Sequence, residues 1–240
     1  MIRERINFMS KIGIIGAMEL EVEELKSKMN VERIVEKASM KFFEGTLNEA
    51  NVVVVQCGIG KVNAGMCVQI LADCFDVTHI INTGVAGSLN ADLDIGDILI
   101  STEAVYHDMD VTPLGYEVGQ VPGIDVKFFP ADQAMIDAAK TSCEKVNTDI
   151  NVMTGRVASG DQFIASKEVK DKIIADVAGY CAEMEGAAIA HAAYLNKIPF
   201  VVVRAISDKA DNSAEMDYPT FEKAAAGHCA ALVMDFIQKL

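Results

Sequence analysis

Lys11-Ile12-Gly13-Ile14-Ile15-Gly16-Ala17-Met18-Glu19-Leu20-Glu21-Val22-Glu23-Glu24-Leu25 changes its hydrophobic period part-way along. Residues 12–15 are a short apolar run closed by Gly16, the pattern of a buried strand. From Ala17 onward the apolar residues fall at Met18, Val22, Leu25 and Met29, a helical stripe. The segment therefore reads as strand, tight turn and helix. The unit returns downstream, where four successive valines in 51–56 lead into Gly58-Ile59-Gly60 and a helical stretch over 61–75. A third run, 79–82, ends in Thr83-Gly84-Val85-Ala86-Gly87, whose glycines predict another sharp loop at a strand end.

Further along, 97–101 and 151–158 read as strands, 132–146 as a helix, and 180–195 as a helix entered from Cys181-Ala182. After Pro199, residues 200–204 form an apolar strand ending in Arg204, and a final helix is expected over 219–240. Strands alternating with helices imply an α/β fold with a mostly parallel sheet covered on both faces. Residues 106–130, rich in Gly, Pro and Asp, are the longest irregular stretch and read as a functional or interface loop. With no repeat, low-complexity tract or linker, 11–240 is expected to be one domain, preceded by a short flexible extension over 1–10 that lacks the apolar core of a signal peptide.

The 51% hydrophobic content is enough for a large core, while aromatics at 6% and the absence of Trp suit small helices laid closely on β-branched strands. A formal net charge of −14 would repel phosphate backbones, and no basic stripe offsets it, so nucleic acid is not the partner. No apolar run reaches the roughly 18 residues of a membrane span, which argues against a membrane partner. Six cysteines form no CxxC pair and sit mostly in apolar runs, as buried thiols of a reducing compartment would. His107-Asp108-Met109-Asp110 has the look of a metal site, but no second His or Cys cluster stands at ligand spacing, so no metal is expected.

Ligands of open α/β sheets bind beyond the carboxyl ends of parallel strands, which directs attention to the acids there. Measured at 100° per residue from Met18, Glu21 lies about 60° off the apolar stripe, whereas Glu19, Glu23 and Glu24 lie about 100° or more away. Those three read as a solvated helix face. Glu21 turns inward to a functional role or extends past the stripe to water. Glu183-Met184-Glu185 precedes a helix that is apolar nearly all round. Its two acids are either N-terminal caps or carboxylates that accept hydrogen bonds from a polyhydroxylated ligand such as ribose. Asp208, after Ser207, either caps a loop or holds a proton for general acid work. Arg204 either anchors that carboxylate or reaches from the strand end to solvent.

In order along the chain, the stretch Gly13 to Glu19 with Glu21, Gly58-Ile59-Gly60-Lys61-Val62, Ile81-Asn82-Thr83-Gly84, Ser159-Gly160-Asp161, Glu183-Met184-Glu185 and Arg204-Ala205-Ile206-Ser207-Asp208 resemble the 5′-methylthioadenosine/S-adenosylhomocysteine nucleosidases. The resemblance implies the nucleoside phosphorylase fold: one domain, with a central mixed sheet forming a partial barrel flanked by helices. It further implies a cytoplasmic homodimer that cuts the N-glycosidic bond of 5′-modified adenosines with water and needs no cofactor. Asp208 then matches the acid that protonates the adenine leaving group, with Ser207 beside it, and Glu21 the base that activates water. Glu185 matches the ribose-binding carboxylate, Met184 lies against the sugar, and Phe163 and Ile164 match the purine contacts. Met18, Ile59 and Tyr218 line the ribose and thioalkyl pocket; Glu183 and Arg204 join the substrate-binding set. Val111, Leu114, Tyr116 and Pro122 match positions that close the pocket from a partner subunit. Val85 and Leu114 depart from the family, which often has Ser and an aromatic there.

An aminodeoxyfutalosine nucleosidase is an alternative that differs only in the 5′ group it accepts, and two further rivals differ in what they need. A purine nucleoside phosphorylase of the same fold requires a cationic cradle where this chain puts Met18 and Glu21, and a non-catalytic nucleoside-binding protein requires no acid and base.

Overall fold

A computed structural model describes residues 10–240; the extension expected over 1–10 lies, Ser10 apart, outside the described residues. The opening unit is β1 (Lys11–Gly16) and α1 (Glu19–Lys28), and its repeat is β4 (Ala50–Gln56) and α2 (Lys61–Phe75). β1 pairs in parallel with both β4 and β5 (His79–Ser88). The period-two alternation of the strands divides the core. Ile12, Ile14, Val52 and Val54 face α1, α3 (Gln133–Val146) and α6 (Ala214–Phe236), while Ile15, Val53 and Val55 face α2 and α5 (Gly186–Asn196). All seven are essentially inaccessible, each contributing about 1.5–3 kcal/mol by burial.

The sheet is mixed. Between α1 and β4 the chain forms an antiparallel hairpin, β2 (Asn30–Lys37) and β3 (Met40–Leu47), and β3 runs antiparallel to β4. Both connections are two-residue turns, Ala38-Ser39 and Asn48-Glu49, with positive φ at each central residue, the turn whose twist matches paired strands. β6 (Ile98–Tyr106) pairs antiparallel with β10 (Phe200–Asp208), and β9 (Cys181–Glu183) antiparallel with β5. The mostly parallel sheet expected from alternation alone is thus corrected, and the mixed sheet implied by the resemblance stands. Strands β10, β6, β8 (Val152–Ser159), β9 and β5 follow one another, and β10 also pairs with β5, closing a five-stranded ring.

Other boundaries move for identifiable reasons. Thr83-Gly84-Val85-Ala86-Gly87 is strand throughout and not a loop: β5 runs on to Ser88. Gly84 serves close approach, since a Cβ there would overlap the Arg204 guanidinium and the Glu21 carboxylate. β10 likewise runs past Arg204 to Asp208, the helix expected from Tyr180 begins only at Gly186, and α6 starts at Ala214 with Pro219 inside it. A short strand, β7 (Phe129–Pro130), and α4 (Lys167–Val177) complete the set. Five of the six cysteines are buried, Cys74 is half-buried, and all are free. Among the described residues no helix is long and apolar enough to cross a membrane.

Gly84→Ala is expected to lower the unfolding free energy by roughly 1–3 kcal/mol, the usual cost of forcing a methyl into a filled interior. Urea denaturation of both proteins measures it. An unchanged midpoint would mean that the strand yields freely.

Candidate active site

The carboxyl ends of β1, β4 and β10 meet the second half of β5 around a cavity of about 330 Å³. Its walls include Glu21, Glu183, Glu185 and Asp208, with Met18, Ile59, Val85, Phe163, Ile164, Met184, Ser207 and Tyr218. The sequence thus brings eleven of its twelve candidate catalytic and substrate residues to one cavity, the exception being Arg204.

Glu21 is the third residue of α1 and reaches back over the helix start. Its Oε2 accepts from the amides of Ala17 and Met18 at 2.7 and 2.9 Å, and its Oε1 from the amide of Val85 at 3.1 Å. Of the four glutamates in this helix it alone is buried, the inward one of the two alternatives the sequence left open. Burial raises its proton affinity above the usual carboxylate range, while the charge of Arg204 and the three amides pull the other way. Val85 supplies an amide here, so the departure from Ser leaves this backbone contact in place.

Asp208 ends β10. Its Oδ2 accepts from the Ser207 hydroxyl at 2.9 Å and its Oδ1 from the Ala210 amide at 2.8 Å. Burial again raises its pKa, and the nearby negative charges of Asp217 and Asp211 add to that against the two hydrogen bonds. A carboxyl in this setting holds its proton more firmly than one at the surface.

The strand-to-helix turn 183–186 divides its two acids. Glu183 caps α5, accepting from the amides of Gly186 at 2.8 Å and Glu185 at 3.2 Å, and it also binds the Ser159 hydroxyl and pairs with Arg204. The capping reading of the sequence holds for this residue. Glu185 instead accepts from the Gly60 amide at 2.9 Å and lies 3.5 Å from Arg204 Nη2. Burial and the neighbouring Glu183 charge push its pKa up to about 7.

Arg204 corrects both alternatives offered for it. It neither reaches solvent nor anchors Asp208, and it is absent from the cavity wall: fully buried, it donates to Asn82 Oδ1 at 2.7 Å and pairs with Glu183 and Glu185. Asn82 and Ser159, which carry this network, had no assigned role in the sequence, although a polar residue inside the run Ile80-Ile81-Asn82 was a usable signal. At one end of the cavity the Tyr218 hydroxyl donates to Met18 Sδ at 3.3 Å, and the Phe163 ring stands edge-on to Tyr218 with centroids 5.6 Å apart. Val111, Leu114, Tyr116 and Pro122 lie outside this chain's own cavity, with Leu114 73% exposed.

A family profile described as the phosphorylase superfamily matches residues 11–238. A protein of Anoxybacillus flavithermus named 5′-methylthioadenosine/S-adenosylhomocysteine nucleosidase is 43% identical over 230 residues, covering 95% of this chain and 98% of that protein. The chain belongs to this nucleosidase family. Solved structures agree. The Colwellia psychrerythraea nucleosidase in complex with adenine superposes with a TM-score of 0.93 at 40% identity, covering 97% of this chain and 96% of the other. The Neisseria meningitidis nucleosidase in complex with methylthio-immucillin-A gives a TM-score of 0.91 at 38% identity, covering 96% of this chain and all of the other. The nucleosidase family is one of hydrolases, and the fold anticipated from the motifs is the observed one.

The raised pKa of Glu185 has a consequence for stability. In the unfolded chain this carboxyl titrates near 4.5 and in the folded one at about 7, so protonation favours folding. The stability it contributes is present below the ordinary value and is lost as pH rises through about 7. Glu185→Gln, uncharged throughout, is expected to lose less stability than the wild type between about pH 5 and about pH 8. Parallel curves in denaturant titrations of the two proteins would contradict the assignment.

Proposed function

We propose that this chain hydrolyses the N-glycosidic bond of 5′-methylthioadenosine, S-adenosylhomocysteine and related 5′-modified adenosines, releasing adenine and the 5′-substituted ribose. The observation that carries this reading is the charge of the cavity wall: four carboxylates line it and, among the described residues, no lysine or arginine does. A phosphate nucleophile would enter against like charge, whereas water needs only a base to orient it. The phosphorylase rival is therefore not favoured.

Asp208 protonates a purine ring nitrogen, so that adenine leaves as a neutral base, and Ser207 holds the carboxyl for that transfer. The buried setting that raises its pKa favours the protonated form that this transfer requires. Glu21 orients water towards the anomeric carbon and takes its proton; three backbone donors fix its carboxylate in the place where it is needed. Glu185 accepts from the ribose hydroxyls and opposes the positive charge that develops on the sugar as the bond breaks. Met184 packs on the sugar, Phe163 stacks on the purine, Ile164 meets it with its backbone, and Met18, Ile59 and Tyr218 enclose the 5′ group. Glu183, in the wall, and Arg204, behind it, hold Glu185 in place.

The same reading assigns 11–240 to a single nucleosidase domain acting in the cytoplasm as a homodimer, without cofactor or metal. Val111, Leu114, Tyr116 and Pro122 of a second copy complete the pocket. The exposure of Leu114 supports that role, because a bare leucine on a Pro- and Gly-containing loop is suited to being covered.

Asp208→Asn is expected to reduce adenine release roughly 100- to 10,000-fold while melting like the wild type, since an amide delivers no proton. Near-normal turnover by a folded variant would remove Asp208 from the mechanism. Glu21→Gln should retain nucleoside binding and lose kcat, as expected of a group that acts mainly in the transition state. The substrate reading is tested in phosphate-free buffer with methylthioadenosine. Adenine and free methylthioribose are expected. A requirement for phosphate, with ribose phosphate formed, would assign the chain to phosphorolysis.

A further inference from the structure

The run His107-Asp108-Met109-Asp110 follows β6 and takes no part in the cavity wall. Its first carboxylate is engaged by protein. Asp108 Oδ2 accepts from Lys61 Nζ at 2.5 Å and from the Asp161 amide at 3.0 Å. Asp161 Oδ1 accepts from the backbone amide of Lys61 at 2.9 Å, and its other oxygen lies 3.8 Å from Lys61 Nζ. The Lys61 ammonium also sits over the Tyr106 ring, 5.4 Å from its centroid. Three distant segments therefore converge on one ion cluster: the end of β6, the start of α2 and the loop after β8.

Two of these segments lead directly into the pocket. Gly60, next to Lys61, has φ +96° and gives its amide to Glu185, and Ile59 before it forms wall. Phe163 and Ile164 follow Asp161 by two and three residues and form wall as well. Lys61, Asp108 and Asp161 themselves do not. Residues 57–60 and 160–166 belong to no helix or strand, so few backbone bonds fix their separation. The close approach is built in at Gly160, where a Cβ would overlap the His107 ring and crowd the Asp108 carboxylate.

We propose that Lys61, Asp108 and Asp161 form a clamp of positioning residues that sets the spacing between the Ile59-Gly60 and Phe163-Ile164 loops, and with it the grip of the pocket on the nucleoside. This rests on the cavity being the nucleoside site proposed above. The Lys61–Asp108 pair is partly withdrawn from water, with side-chain exposures of 24% and 16%, and is charge-assisted, so it outlasts the fluctuations of an exposed surface pair, whereas Asp161 is 49% exposed and is held chiefly through the Lys61 amide. It touches no reacting atom. It acts on substrate binding and leaves the acid and the base where they are.

The experiment compares the wild type, Asp108→Leu, Asp108→Asn, Lys61→Met and the double variant Lys61→Met/Asp108→Leu, using methylthioadenosine and full-length protein. Asp108→Leu should raise KM about tenfold or more, the scale of effect expected when binding loops are misplaced by an ångström. kcat should fall much less, and the pH limbs of kcat/KM should stay in place. The double variant should cost less than the product of the two single losses, because each single change already breaks the cluster. Amide hydrogen exchange over 57–60 and 160–164 should accelerate in Asp108→Leu. A wild type without turnover refutes the proposed function and leaves the exchange measurement to decide the clamp. A folded Asp108→Leu with wild-type KM and wild-type exchange overturns the clamp, as does a loss confined to kcat with a displaced pH limb. Should Asp108→Leu not fold, Asp108→Asn carries the same comparison.

Discussion

One guanidinium holds the centre of this molecule. Arg204 is buried on a central strand and faces Glu183, Glu185 and Glu21, three carboxylates from two parts of the chain. Removing so many charges from water is costly, and only pairing with bonds to nearly every oxygen makes it tolerable. The surrounding backbone meets that demand. Amides of Ala17, Met18 and Val85 serve Glu21, amides of Glu185 and Gly186 serve Glu183, and the Gly60 amide serves Glu185. Asn82 joins Arg204 to the carbonyl of Ile15, tying the charge centre to the first strand.

The balance is unequal, and the inequality is useful. Burial raises the proton affinity of both Glu185 and Glu21; at Glu185 the neighbouring carboxylates add to the rise, whereas at Glu21 Arg204 and three backbone amides oppose it. Asp208 stands apart from Arg204 and is raised by burial and by other carboxylates. A single cavity thereby contains acids whose different partners separate their tasks, which is the general way to run acid and base chemistry at one pH.

The first strand, turn and helix were legible because period and burial coincide there: strand alternation separates Ile14 from Ile15, and the helical stripe after Gly16 distinguishes Glu21 from the three other glutamates. The hairpin over 30–47 was not, because Ala38-Ser39 adopts left-handed backbone without glycine or asparagine to announce it. The glycines of 83–87 were misread as a turn, since a residue chosen for absence of bulk resembles one chosen for conformational freedom. The cavity residues were legible by resemblance to a family, in order along the chain. What stayed hidden was depth. Sequence places Glu183, Glu185 and Arg204 near one strand end but does not say which faces the cavity and which lies behind it, because that depends on a ring closed by β10 pairing with β5.

That ring also fixes an order of events. Val201 pairs with Ile81 and Val203 with Thr83, contacts that join the last strand to one near the middle of the chain, and loop closure over such separations is slow. Glu21 and its helix emerge early in synthesis, whereas Arg204 and Asp208 emerge near the end. Until the final strand is made, the carboxylates that face Arg204 lack that partner. The charge centre is therefore complete only when the last strand is in place, and a chain that stops before it lacks both the arginine and the acid.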